Sequence, residues 1–242
     1  MMLRSRGDRR LSRWWTVPAA LALLAGAGQP AQAASGEVTD DLRAQLKQFW
    51  TVNRVPGPTQ DALLDKLEAG QTWDVMSGES APVSTRTVRT AGENRTIETY
   101  PDGSIAVTSI QMPTSTTKPG VVGPLAVGNC RTSVSGSGYT NRYDCQANST
   151  TGVVEMGFYI SYSITGGYDS IIDVNSPYVR ADGGTASDTS LAIRKAAENS
   201  TGSAYASIKT IYQARNGGGS KTLELRALVG QNTAWTRWEA GL

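Results

Sequence analysis

The chain predicts a mainly β protein, an antiparallel β-sandwich preceded by a helical hairpin and a short β-meander. Three observations carry that expectation. Residues 153–164, 203–213 and 221–229 alternate apolar and polar side chains with a period of two, as strands with one dry and one wet face do. Glycine pairs and a triplet, Gly166-Gly167, Gly183-Gly184 and Gly217-Gly218-Gly219, separate those runs. Helical periodicity is confined to the stretch before Trp73. Strands with one dry face need a second layer, so a sandwich or closed barrel follows.

Residues 1–33 read as a secretory signal peptide. Arg4, Arg6, Arg9, Arg10 and Arg13 form the charged start, and an apolar run follows from Trp14 to Gly28. Ala31-Gln32-Ala33 supplies the small-x-small pattern, which puts cleavage between Ala33 and Ala34. The apolar run is shorter than the roughly 20 residues that cross a bilayer. The expected localisation is therefore secreted, with no membrane span after signal removal. The whole chain carries 23 Lys+Arg against 21 Asp+Glu, a net of +2. Removing the signal takes away five arginines and Asp8, leaving 18 basic and 20 acidic residues, a net of −2. That balance argues against nucleic acid as a partner.

Residues 37–75 are expected to form the helical hairpin. Leu42, Leu46, Phe49 and Trp50 fall on one helical stripe, Thr39 can cap it, and Asp40 and Asp41 suit the positive end of its dipole. Val55-Pro56-Gly57-Pro58 ends this helix, and a second runs from a Thr59 cap to Leu67 or Ala69. Gly70 stands where a left-handed C-terminal cap is expected.

Residues 76–112 read as a three-stranded meander, with strands at 83–90, 95–100 and 104–111 and a tight turn at Pro101-Asp102-Gly103. Residues 113–128, punctuated by Pro113, Pro119 and Pro124, read as a linker. Residues 129–242 then form a disulfide-bearing antiparallel β domain. Within it, 188–198 reads as a strand because Leu191 and Ile193 alternate with polar neighbours. Cys130 and Cys145 are the only cysteines and pair in an oxidising compartment.

The chain has no histidine, which excludes Ser-His-Asp and Cys-His catalysis and His-ligated zinc. No metal ligand set and no cofactor motif stands out. Asp173-Val174-Asn175-Ser176-Pro177 starts like a calcium loop but lacks the later ligands, the turn glycine and the closing Glu. The glycine triplet before Ser220-Lys221 joins two strands, so it lacks the helix N-terminus that a phosphate loop needs. Carboxylates remain as a chemistry without imidazole. Asp169, Asp173, Asp182 and Asp188, with Glu155 as a further partner, are the acids available for polysaccharide hydrolysis. Aspartates in loops also serve as turn residues.

Binding candidates are aromatic. Tyr159 and Tyr205 fall on the wet sides of their strands. Trp235 and Trp238 lie three residues apart, on opposite faces if they share a strand. An exposed aromatic ring among charged neighbours stacks on a sugar or anchors a protein.

Trp73-Asp74-Val75-Met76-Ser77-Gly78, Pro82-Val83-Ser84, Tyr100-Pro101-Asp102-Gly103-Ser104-Ile105, the two cysteines and Met156-Gly157-Phe158 resemble a group of secreted actinobacterial proteins with no assigned activity. The resemblance covers most of the chain after the signal. It implies a secreted bacterial origin and no particular chemistry, because its motifs are turn and strand residues.

The function expected from the sequence is a secreted, non-enzymatic, extracellular or cell-surface binding role. The partner is a cell-wall glycan or a secreted or surface protein. The rival is a carboxylate-based hydrolase acting on polysaccharide or peptidoglycan.

Overall fold

Two antiparallel sheets pack face to face in the computed structural model, which describes residues 38–90, 92–113, 130–134, 138–215 and 218–241. The expected signal peptide, its cleavage site at Ala33 and Ala34, nearly all of the 113–128 linker and Gly217 lie outside these residues. The first sheet runs in the order β1 (Ser84–Arg89), β2 (Glu93–Thr99), β3 (Ile105–Gln111), β5 (Tyr139–Thr150), β6 (Val154–Thr165), β7 (Ser170–Ala181), with β4 (Arg131–Val134) beside β5. The second runs β11 (Thr233–Ala240), β10 (Ser220–Gly230), β9 (Ala204–Ala214), β8 (Gly184–Lys195). The mainly β sandwich read from the sequence is the observed architecture.

The alternation explains the core. In β6, Val154, Met156, Phe158, Ile160 and Tyr162 are buried, while Glu155, Tyr159 and Ser163 are only half-buried. Ala204, Ala206, Ile208 and Tyr212 of β9 and Leu223, Leu225, Ala227 and Val229 of β10 supply the opposing layer. Burial of these faces, at about 25 cal/mol per Å² of apolar surface, holds the sheets together.

The meander is part of the first sheet. β3 pairs with β5, from Val107 opposite Thr150 to Ile110 opposite Ala147. The β block expected to begin at residue 129 therefore continues a sheet already started at Ser84. The reason lies in β3, whose residues 105–110 are all buried, so it needs strands on both edges and cover on both faces. The 188–198 segment is a strand for most of its length, the end of β8. β5 and β7 were not anticipated. β5 shifts register between Arg142 and Cys145, and β7 shifts twice against β6. Each such irregularity reverses the inward-facing set and erases a period of two. The Cys130–Cys145 disulfide is formed, and Cys145 is fully buried.

The helices are α1 (Asp40–Val52), α2 (Gly57–Glu68) and the four-residue α3 (Asp74–Ser77). Thr39 caps α1 as expected, its Oγ1 accepting the Leu42 N–H at 3.2 Å. α2 starts at Gly57 rather than after Thr59, because Pro58 is tolerated in a first turn where its missing N–H has no partner to lose. Gly70 takes φ 69°, the left-handed cap. Trp50 and Trp73, both fully buried, meet edge to face at 5.5 Å. Asp102 Oδ2 accepts the Asp74 N–H at 3.1 Å and Lys66 Nζ at 3.0 Å. Ser104 Oγ accepts the Val75 N–H at 3.1 Å, and Thr72 Oγ1 donates to the Gly218 carbonyl at 2.9 Å. These bonds seat the helices against the end of the sandwich where β3 and β10 begin.

Candidate functional site

Of the four aromatic candidates, the fold brings two together. Leu228 of β10 stands opposite Tyr205 of β9 on one side and Trp235 of β11 on the other. All three are half-buried and form a row across the outer face of the second sheet. Two strand spacings put Tyr205 and Trp235 roughly 10 Å apart. The adjoining rows are Ser207–Arg226–Arg237 and Lys209–Glu224–Glu239.

Arg226 organises this face. Its guanidinium lies over the Tyr205 ring, 5.4 Å from the centroid. Its Nη2 contacts Glu224 Oε2 at 2.8 Å and Glu239 Oε2 at 2.7 Å, and Arg237 Nη2 contacts Glu239 Oε1 at 2.5 Å. Glu224 is only 1% exposed although it faces away from the core. Burial pushes its carboxyl up, but hydrogen bonds from Arg226 and Ser207 and the charges of Arg226 and Lys209 outweigh burial and hold it below the usual carboxylate value.

Trp238 and Tyr159 do not join the row. Trp238 is 3% exposed, an inward-facing residue of β11, and its indole N–H bonds the Val75 carbonyl. It is a core side chain, not a surface one. Tyr159 belongs to the first sheet, between Gln146 and Asn175, so it and Tyr205 lie on opposite outer faces of the sandwich.

The aspartates do not converge. Asp169 is buried; its Oδ1 accepts the Thr165 N–H at 2.9 Å and its Oδ2 the Asn232 N–H at 2.8 Å. Glu198 accepts the Asp169 N–H at 3.3 Å and the Gln231 N–H at 3.0 Å. The two acids thus clamp the β10–β11 turn, where Gln231 and Asn232 hold φ 53° and 60°. Asp182 pairs with Arg180 at 3.2 Å and Glu155 with the same arginine at 3.1 Å. Asp173 accepts from Asn175 at 3.1 Å, and Asp188 sits at φ 50° in a bulge of β8. Asp169 and Asp182 flank the length of β7, on the order of 35 Å apart, far beyond the ~5–9 Å of a glycosidase pair. Glu155 and Asp182 do come together, on the two sides of the Arg180 guanidinium, as an ion-paired cluster.

A groove that the sequence did not announce lies on the other side of β11. Its volume is about 350 Å³. Three cross-strand pairs of β1 and β2 make its floor: Thr85–Glu98, Thr87–Thr96 and Arg89–Asn94. Thr233, Ala234, Trp235, Thr236 and Arg237 of β11 make its wall. Asn94 Nδ2 donates to the Ala234 carbonyl at 3.4 Å, which marks one end. Glu98 marks the other. Burial pushes its carboxyl above the ordinary value; Arg237 and a hydrogen bond from Tyr100 offset this only in part. The readable signal was β1 itself. Thr85, Thr87 and Arg89 alternate with Ser84 and Arg86, so most of this strand is polar on both faces and belongs where cover is missing.

Among the described residues, no three His, Cys, Asp or Glu gather as a metal site, and no helix is long and apolar enough to cross a membrane. Fold and site together define a two-sheet β protein with an aromatic sheet face beside a groove lined by threonine, charged and aromatic side chains. No family model matches the chain, and no curated protein or solved structure matches it.

Proposed function

We propose that this is an exported bacterial protein, of the secreted actinobacterial kind it resembles, that binds cell-wall glycan through the outer face of its second sheet. The Tyr205–Leu228–Trp235 row carries the reading. A pyranose ring offers an apolar C–H face and a rim of hydroxyls. Aromatic side chains on a flat sheet receive the first, and the charged planar groups of Arg237 and Glu239 receive the second. The ion-pair network beside the row keeps it ordered before the ligand arrives, which lowers the entropic cost of binding. The disulfide fits an oxidising compartment.

The test is co-sedimentation of the protein with purified cell wall and with insoluble polysaccharides. Trp235→Ala and Tyr205→Ala should each weaken retention about tenfold while leaving the urea midpoint near that of wild type. Retention unchanged in both variants rejects the reading.

A carboxylate-based hydrolase acting on polysaccharide or peptidoglycan is the second reading. It rests on Glu98, whose raised carboxyl in a groove suits a general acid. Product release from cell wall that disappears in Glu98→Gln would favour it over simple binding.

A further inference from the structure

The first sheet is wider than the second. Past β3, which lies against β11, it continues through β2 to β1, while the second sheet ends at β11. The inner side of β1 is therefore uncovered and that of β2 is only partly covered by β11, and their three pairs form a ladder of chemically distinct rungs. Arg89 is exposed at the first rung and makes no ion pair or hydrogen bond among the described residues. The middle rung, Thr87–Thr96, faces Thr236, a residue 4% exposed whose Oγ1 has no hydrogen-bond partner. At the last rung Glu98 Oε2 is also buried without a partner. Buried polar atoms are paired in folded proteins with few exceptions, and each exception calls for an explanation.

We infer that the groove binds a short extended peptide of three to five residues with free ends, its carboxylate on Arg89 and its ammonium on Glu98. The spacing sets the length. Asn94 and Glu98 are four residues apart on one strand, about 13 Å, and an extended tetrapeptide spans a similar distance between its ends. The charges set the direction, because an unpaired guanidinium stands at one end and an unsatisfied carboxylate oxygen at the other. Arg237, beside Glu98, is itself paired with Glu239, so its charge offsets that of Glu98 only in part. Thr236 Oγ1 between them meets a backbone N–H of the bound peptide. This site differs from the aromatic face in ligand class and adjoins it along β11, where Trp235 and Arg237 border both.

The experiment titrates the full chain with tetra-alanine, with its N-acetylated form and with its C-amidated form, followed by calorimetry. Tetra-alanine should bind saturably, and blocking either end should weaken it about tenfold. Glu98→Gln should remove the penalty for acetylation and leave that for amidation; Arg89→Gln should do the reverse. Thr236→Val, which deletes the orphan hydroxyl at constant shape, should leave unfolding by urea unchanged or harder and weaken tetra-alanine binding. Absence of saturable binding, or blocked peptides that bind as well as the free one, overturns the inference. So does a set of variants whose losses simply add to those of the blocked ends. Cell-wall retention is measured separately with Tyr205→Ala, a residue outside the groove lining, so failure of the glycan reading and failure of this inference are told apart.

Discussion

The indole N–H of Trp238 donates to the carbonyl of Val75 at 2.8 Å, with both residues buried. The bond joins the last strand to α3 across 163 positions of sequence, and the helical end of the sandwich closes over it. Trp238→Phe should cost about 1–3 kcal/mol, because it leaves the Val75 carbonyl buried without a donor. Trp238→Ala should cost about 3–5 kcal/mol through the cavity it opens. Equilibrium urea unfolding measures both; a Phe variant as stable as wild type would show that the bond contributes nothing.

Arg226 is the principal partner of a carboxylate that is nearly out of reach of water. Replacing it by Met leaves Glu224 with Lys209 at 3.6 Å as its remaining cation and should cost about 3–5 kcal/mol. The double variant Glu224→Leu with Arg226→Met should recover much of that loss, because no charge is then stranded. A double variant that is worse than the single one contradicts the assignment.

Acid should destabilise the protein through Glu224 and Asp102. Burial raises the Asp102 carboxyl, but hydrogen bonds from the Ser104 side chain, the Asp74 and Ser104 N–H groups and Lys66 outweigh it and lower the value in the fold. Both acids therefore stabilise fully above their unfolded values near ~4, and this is lost as pH falls through their lower folded values. Glu98 has the opposite sign: its folded value is raised, so its ionised form costs stability at neutral pH and the cost vanishes in acid. Glu98→Gln should be more stable than wild type near pH 7, roughly, and equal to it below about pH 4. Urea midpoints across that range decide the sign.

Gly157 leaves room for its neighbour's ring. A Cβ there would stand 2.6 Å from the Tyr178 ring and 2.8 Å from the Ala147 carbonyl oxygen. Gly157→Ala should cost about 1–3 kcal/mol, since ring and strand must both yield. Thermal unfolding with an unchanged midpoint would mean that Tyr178 moves aside freely.

The disulfide closes a loop between positions 15 apart. Replacing both cysteines by Ser should lower stability by about 3 kcal/mol on the chain-entropy view. Adding reductant to the wild-type protein should lower its unfolding midpoint to that of the variant.

The dry faces of β6, β9 and β10, the Thr39 cap and the Gly70 turn were legible because each depends on neighbours a few positions away. Tyr205 and Trp235 were legible as wet-side aromatics for the same reason. β5 and β7 were not, since register shifts interrupt their alternation. The groove was hidden because Glu98 and Thr236 are 138 positions apart and meet only through strand order.

By itself the amino-acid order determined which side of most strands is dry, because a period of two is a property of the backbone. Only the tertiary structure decided which wet sides share a surface. It separated Tyr159 from Tyr205, drew Trp238 inward, and left β1 without cover and β2 with only part of its own. Those outcomes follow from which distant strands pair, and from one sheet being wider than the other, neither of which any local run of residues encodes.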